Sequence, residues 1–246
     1  MTEHNFVAQN IARVQQQLAQ AAHRAGRDPA SVTLLPVSKT FPESAIRQAV
    51  AAGHRRFGEN KIQEIREKYE PLVDCDIRWI MIGHLQTNKA KDVARYVAEV
   101  QSLDRLELAI ALDKRLESLN RTLDVLVQVK TAAEPGKYGV DPAELPALLR
   151  HIARDTPTLK VKGLMTMATH TNDTDAVRAC FRTLREWRDR MRNEDIDGIT
   201  LDRLSMGMSG DFQIAIEEGS TEVRIGTAIF GYRDYSAGND HASTEN

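Results

Sequence analysis

Cysteine is scarce in these 246 residues: there are two, Cys75 and Cys180, far apart and outside any C-x-x-C pair. That argues against a disulfide framework or a zinc site and fits a reducing cytoplasm. An excess of charge of one sign is missing too. With 33 basic and 35 acidic side chains the formal net charge is −2, whereas nucleic acid and anionic membrane surfaces call for a basic excess. No apolar run approaches the ~20 residues that cross a bilayer. Residues 1–6 lack the basic-then-apolar pattern of a secretory signal. No G-x-G-x-x-G follows the first strand-like segment, so the usual mark of a dinucleotide fold is absent. Linkers, repeats and low-complexity stretches are lacking through residue 233. What remains, 41% hydrophobic and 28% charged residues, is the make-up of one soluble α/β domain.

Phe6, Val7, Ile11, Val14 and Leu18 recur at helical spacing, which predicts an amphipathic helix over 3–25 that stops at Gly26. Beyond it, strand-like and helix-like segments alternate. Strands are predicted at 32–38, 55–58, 77–82, 98–102, 123–129, 159–165, 201–205 and 222–226. Helices are predicted near 43–52, 60–69, 87–95, 105–118, 142–153, 174–192 and 211–218. Pro42-Glu43, Asp141-Pro142 and the cluster Asn172-Asp173-Thr174-Asp175 supply helix starts, and Gly53 and Gly219 supply stops. Eight strands separated by helices in a chain near 250 residues is the pattern of a (β/α)8 TIM barrel with an extra N-terminal helix. An open doubly wound sheet is the competing arrangement. Residues 1–235 form the expected barrel domain, and 236–246 a polar, loose tail.

In a barrel, chemistry belongs at the C-terminal ends of the strands. The first ends in Lys39, after the apolar run Val32-Thr-Leu-Leu-Pro-Val37. A partly desolvated ammonium there has a lowered pKa and serves as a nucleophile toward carbonyls; a lysine snorkelling into solvent is the alternative. The second strand ends in Glu59-Asn60, and the third runs into His84. Barrel phosphate sites often lie after strands seven and eight. There Ser209-Gly210 is expected to open a helix, and Gly226-Thr227 offers unobstructed N–H groups, although all four also suit ordinary turns and caps. Arg224, inside the eighth strand, points either into the barrel mouth or outward as a solvated charge. His84 is expected to be structural and His170 exposed. Glu59, Glu64 and Glu67 make no metal-ligand set, two of them lying on a solvated helix face. Met165, Met167, Met206 and Met208 are expected in the core or lining a pocket. The arginines at 178, 182, 185, 188, 190 and 192 read as a solvated face.

Taken together, Leu35-Pro-Val-Ser-Lys-Thr40, Phe57-Gly-Glu-Asn60, Ile82-Gly-His-Leu-Gln-Thr-Asn-Lys89, Gly163-Leu-Met165, Ser205-Met-Gly-Met-Ser209 and the run from Gly219 to Gly231 resemble the pyridoxal phosphate homeostasis protein family, with its alanine-racemase-like barrel. The resemblance spans roughly residues 6–235. It implies a fold-type III pyridoxal phosphate barrel, with Lys39 as the Schiff-base lysine and Ser209, Gly226 and Thr227 on the phosphate. It places Arg224 near the pyridine nitrogen, where it keeps that nitrogen unprotonated, and Asn60 and His84 in motifs that line the same mouth. The chain departs from the pattern at Tyr138 and over 167–172, so no role is assigned there.

The implied function is to hold pyridoxal 5'-phosphate (PLP) on Lys39 for intracellular vitamin B6 homeostasis, as a monomer with little or no turnover. PLP-dependent apo-enzymes are the implied protein partners. An amino-acid racemase is the competing reading; it requires a second base, which related racemases take from an additional β domain. With about 20 residues after the eighth strand, no room for one is expected. A Schiff-base aldolase of a sugar phosphate is the third reading, since it needs only Lys39 and the phosphate loops.

Overall fold

The computed structural model describes residues 6–132, 134 and 137–231. Its strands are β1 (Thr33–Pro36), β2 (Arg56–Glu59), β3 (Arg78–Met81), β4 (Glu99–Leu103), β5 (Leu123–Gln128), β6 (Leu159–Met165), β7 (Arg203–Ser205) and β8 (Glu222–Ile225). Its α-helices are α1 (Phe6–Arg24), α2 (Glu43–Ala51), α3 (Ile62–Tyr69), α4 (Ala90–Tyr96), α5 (Leu106–Glu117), α6 (Leu145–Asp155), α7 (Thr174–Arg192), α8 (Phe212–Glu217) and α9 (Thr227–Phe230). All the strand pairs are parallel and run in the order β1-β8-β7-β6-β5-β4-β3-β2. A parallel bridge between Val37 and Gly58, with Ser38 N–H donating to Gly58 O at 3.0 Å, links the two ends. That link excludes the open sheet and makes the nearly closed barrel. No described helix is long and apolar enough to cross a membrane.

Side-chain parity divides the core in two. Phe57, Trp79, Val100, Val125 and Val127 face outward into the main apolar cluster beneath the helices. The interior receives the alternate residues, among them Arg56, Glu99, Gln101, Arg203, Ser205, Glu222 and Arg224. Helix α1 lies outside the barrel wall and buries Val7, Ile11, Val14, Leu18 and Ala22 on one face. Its Asn10 side chain donates to Ile229 O at 2.8 Å, which ties it to α9.

Each predicted strand and helix has a counterpart, with ends shifted by a few residues. Residues 3–5 of the first predicted helix and the tail 236–246 lie outside the described residues. Three details differ from expectation. Ser209 and Gly210 occupy a turn, and α8 begins only at Phe212. Asp141-Pro142 likewise forms a turn ahead of α6, with Asp141 Oδ1 accepting Ala143 N–H at 2.9 Å. The α7 arginines are only partly a solvated face. Arg178, Arg182 and Arg185 converge on Glu218, a carboxylate just past α8 whose side chain is 6% exposed, because α7 packs beside it.

Candidate functional site

A cavity of about 580 Å³ opens at the C-terminal mouth of the barrel, within the range of small-molecule sites. Lys39, Asn60, Ser209, Arg224, Gly226 and Thr227 all line it. The structure therefore gathers these six residues into one space. Val37, Phe41, Ile82 and Met208 give it apolar walls, and the loop 167–172 supplies another side, including His170. His84, whose motif implied a place at this mouth beside Asn60, is not in the lining. It stacks on Tyr138, ring centroids 3.8 Å apart, with Nδ1 3.6 Å from Asp104 Oδ2. Met165 and Met206 are buried in the barrel, whereas Met167 and Met208 are exposed and line the cavity.

Arg224 is 4% exposed. Its Nη1 donates to Ser205 Oγ and its Nη2 to Thr166 O, both at 2.8 Å. Burial lowers its pKa to about 10, against the pull of Glu222 and Asp211, so it remains a cation at neutral pH. Ser205 Oγ in turn donates to Gln101 Oε1 at 2.7 Å. Gln101 Nε2 donates to Glu99 Oε1 and Glu222 Oε1 at 2.7 and 2.5 Å. Both carboxylates are held by Arg56 and Arg203. Burial works against ionisation of Glu222, yet the two guanidiniums keep its pKa below the ordinary value. Because Gln101 gives both amide protons to carboxylates, its oxygen must accept from Ser205, and Ser205 must accept from Arg224. The chain runs in one direction and fixes the arginine. The motifs did not reveal this support; its signal is the period-two polar pattern Glu99-x-Gln101, Arg203-x-Ser205 and Glu222-x-Arg224.

The far side of the cavity is rich in donors. Among the described residues, the N–H groups of Ser209, Gly210, Gly226, Thr227 and Ala228 donate to no protein acceptor. Those of Thr227 and Ala228 precede the first intrahelical bonds of α9. The one carboxylate in the lining, Asp211, accepts Met208 N–H at 2.6 Å, and burial raises its pKa. Gly207, at φ +99°, makes the turn before these donors, and an added Cβ would lie 2.6 Å from Ala215 Cβ. An amine, a buried guanidinium and a cluster of unused N–H groups fit a ligand with a carbonyl, a ring acceptor and an anionic end. No cluster of three or more His, Cys, Asp or Glu side chains suited to a metal occurs among the described residues.

The sequence matches the family described as alanine racemase, N-terminal domain, over residues 9–234. The chain belongs to that family. A Pseudomonas aeruginosa relative named pyridoxal phosphate homeostasis protein is 44% identical over 231 residues, covering 94% of this chain and 97% of its own. One of the same name from Aquifex aeolicus is 43% identical, covering 92% and 98%. This family member also superposes on PipY of Synechococcus elongatus, solved with PLP bound, at TM-score 0.81 and 35% identity, covering 92% and 100%. Alanine racemase from Corynebacterium glutamicum shares the fold at TM-score 0.68 and 17% identity, and the match takes in 62% of that chain.

Proposed function

We propose that this protein holds PLP on Lys39 and serves PLP homeostasis, with little or no turnover. The observation that carries the reading is the single cavity joining Lys39 to Arg224 and to the N–H cluster of 209–210 and 226–228. When bound, the cofactor supplies an aldehyde for reversible condensation with an amine and a ring able to withdraw electrons. Lys39, which lines the cavity, would hold the cofactor through its side-chain amine, a group able to condense reversibly with an aldehyde with loss of water. Ser209, Gly226 and Thr227 hold the phosphate. Arg224, a buried cation in the lining, would disfavour protonation of a ring nitrogen placed beside it and so weaken electron withdrawal. Asn60 lines the same mouth.

Turnover as a racemase needs a second proton-transfer group facing the ligand. Among the described lining residues, the remaining candidates are His170 and Asp211. His170 is exposed on its loop, and Asp211 is engaged with Met208 N–H. His170 is the one feature that favours the racemase reading. PLP-dependent apo-enzymes are the proposed recipients, in the cytoplasm, with the protein acting as a monomer.

The test combines capture and turnover. Purified protein incubated with PLP should turn yellow, and borohydride should fix the group on Lys39, as peptide mapping would locate it. Lys39→Ala should lose that attachment. Loaded protein given single L-amino acids should yield no sustained D-enantiomer. Sustained D-enantiomer that vanishes in Lys39→Ala would establish the racemase instead. A colourless protein that captures a sugar phosphate would move the reading to an aldolase.

A further inference from the structure

Lys39 lies between two residues that are both pinned from outside the cavity. On one side, Ser38 is fully buried; its Oγ donates to Glu59 Oε1 at 2.6 Å and its carbonyl accepts from Lys68 Nζ at 3.0 Å. On the other, Thr40 N–H donates to Glu64 Oε2 at 2.7 Å. Lys68 joins the halves. Its ammonium has three protons and also meets Glu59 Oε1 at 2.8 Å and Glu64 Oε2 at 3.2 Å, with the side chain only 11% exposed. Glu64 is therefore not the solvated helix residue its sequence position suggests, and Glu59 is fully buried.

Thr40 has φ +69°. For a β-branched residue this is a strained conformation that persists only where neighbours over-determine it. The bonds to Ser38 and Thr40 supply that constraint. Glu59, Glu64 and Lys68 do not line the cavity; their hydrogen bonds reach it through the backbone of 38–40, and Glu59 is also the chain neighbour of Asn60.

We propose that Lys68, Glu59 and Glu64 form a positioning clamp that holds 38–40 in this strained turn and so sets how the Lys39 amine meets a carbonyl in the cavity. The inference rests on the reading of Lys39 as the capturing amine. It predicts that loosening the clamp impairs covalent capture while sparing non-covalent affinity for the rest of the ligand.

The test uses the full chain with Lys68→Met, with Glu64→Ala as a second, milder variant, and with Glu67→Gln on the exposed side of α3 as control. Three quantities are compared: capture of PLP by absorbance, affinity for pyridoxine phosphate, which has an alcohol where PLP has the aldehyde, and the rate of reductive methylation of Lys39 by formaldehyde with cyanoborohydride as hydride donor in ligand-free protein. Lys68→Met should weaken capture roughly tenfold or more and change Lys39 methylation about threefold or more, with pyridoxine phosphate affinity held within about twofold. Glu64→Ala should move the same way by less, and Glu67→Gln should match the parent. Parallel loss of capture and pyridoxine phosphate affinity in both clamp variants would reduce the cluster to a folding element and overturn the proposal, as would parental capture and methylation in Lys68→Met. If the parent protein captures no PLP, the functional reading fails, and the methylation rates still decide the clamp.

Discussion

Replacing Glu59 with glutamine tests the energetics of the buried cluster behind Lys39. The carboxyl is fully buried, and burial pushes its pKa from 4.5 up to about 7; Lys68 and Ser38 pull it down without winning, and Glu64 adds a small push upward. One oxygen, Oε2, has no hydrogen-bond partner among the described residues. A proton can settle there while Oε1 keeps accepting from Ser38 and Lys68. The folded protein thus binds this proton more tightly than the unfolded chain does. Its contribution to stability is fully present below the unfolded value and is lost as pH rises through 7. At about 1.4 kcal/mol per pH unit, the rise from 4.5 to about 7 corresponds to an upper figure of about 3 kcal/mol. Glu64 runs the other way: burial opposes its ionisation, yet Thr40 N–H and Lys68 hold its pKa below the ordinary value. Raw pH profiles mix the two, so the quantity to follow is the difference between parent and Glu59→Gln, from urea denaturation at pH 5, 6, 7 and 8. The parent should lose stability relative to the variant as pH rises, by a total approaching 3 kcal/mol. A flat difference, or one of opposite sign, would mean that the ion pair with Lys68 outweighs burial and would refute the reasoning.

Other perturbations report on the scaffold around the site. Gln101→Leu leaves the Ser205 hydroxyl proton and Glu222 Oε1 without their partner, while Glu99 Oε1 keeps Arg203 and Arg56, so it should cost about 3 kcal/mol; a urea-derived loss below about 1 kcal/mol would show that the interior chain relaxes around the gap. Gly83→Ala places a Cβ 2.1 Å from the backbone oxygen of Asn60, which forces one of the two segments to shift. It should destabilise by about 1–3 kcal/mol and weaken PLP binding, and parental affinity in a titration would contradict the placement of Asn60. Asp173 caps α7 by accepting from Asp175 N–H and Ala176 N–H, and Asp173→Ala should cost about 1 kcal/mol without altering PLP capture.

The barrel was legible because its strands are short, apolar and broken at regular intervals by Gly, Pro and capping residues. Where an element is weak, legibility fails. Helix α9 has four residues and no periodicity to detect, while α4 is entered through a 3-10 turn at Thr87–Lys89 that blurs its start. The site residues were legible where a motif places a polar group directly after an apolar strand, as at Lys39 and Asn60. Arg224 was readable as a strand residue with two possible directions, and only closure of the barrel decides between them. Glu64 and Lys68 show the limit most clearly. Their i,i+4 spacing on α3 is visible in the sequence and ordinarily marks an exposed pair. That both side chains instead turn under the end of β1 follows from how α3 packs, which no local pattern encodes. The arginines of α7 make the same point, since a carboxylate 33 residues beyond Arg185 decides their surroundings.

The two buried polar systems act on the site from different sides. The interior chain from Arg56 and Arg203 through Glu99, Glu222, Gln101 and Ser205 ends at Arg224 and leaves its guanidinium one orientation. The Lys68 cluster acts from outside the barrel and ends at the backbone on either side of Lys39. Buried ion pairs of this kind are poor sources of net stability, because desolvation offsets most of their attraction. Apolar residues of similar size would fill the same volumes at less cost in desolvation. What apolar residues cannot do is fix a guanidinium and a strained lysine segment at the same mouth. A site whose amine and cation are held this firmly needs little reorganisation to receive a ligand of matching shape. That economy favours tight holding, whereas catalysis also needs groups that move protons once the ligand is in place. The described lining offers His170 and Asp211 for that work, and the holding role is drawn from the cavity that joins Lys39, Arg224 and the unused N–H groups.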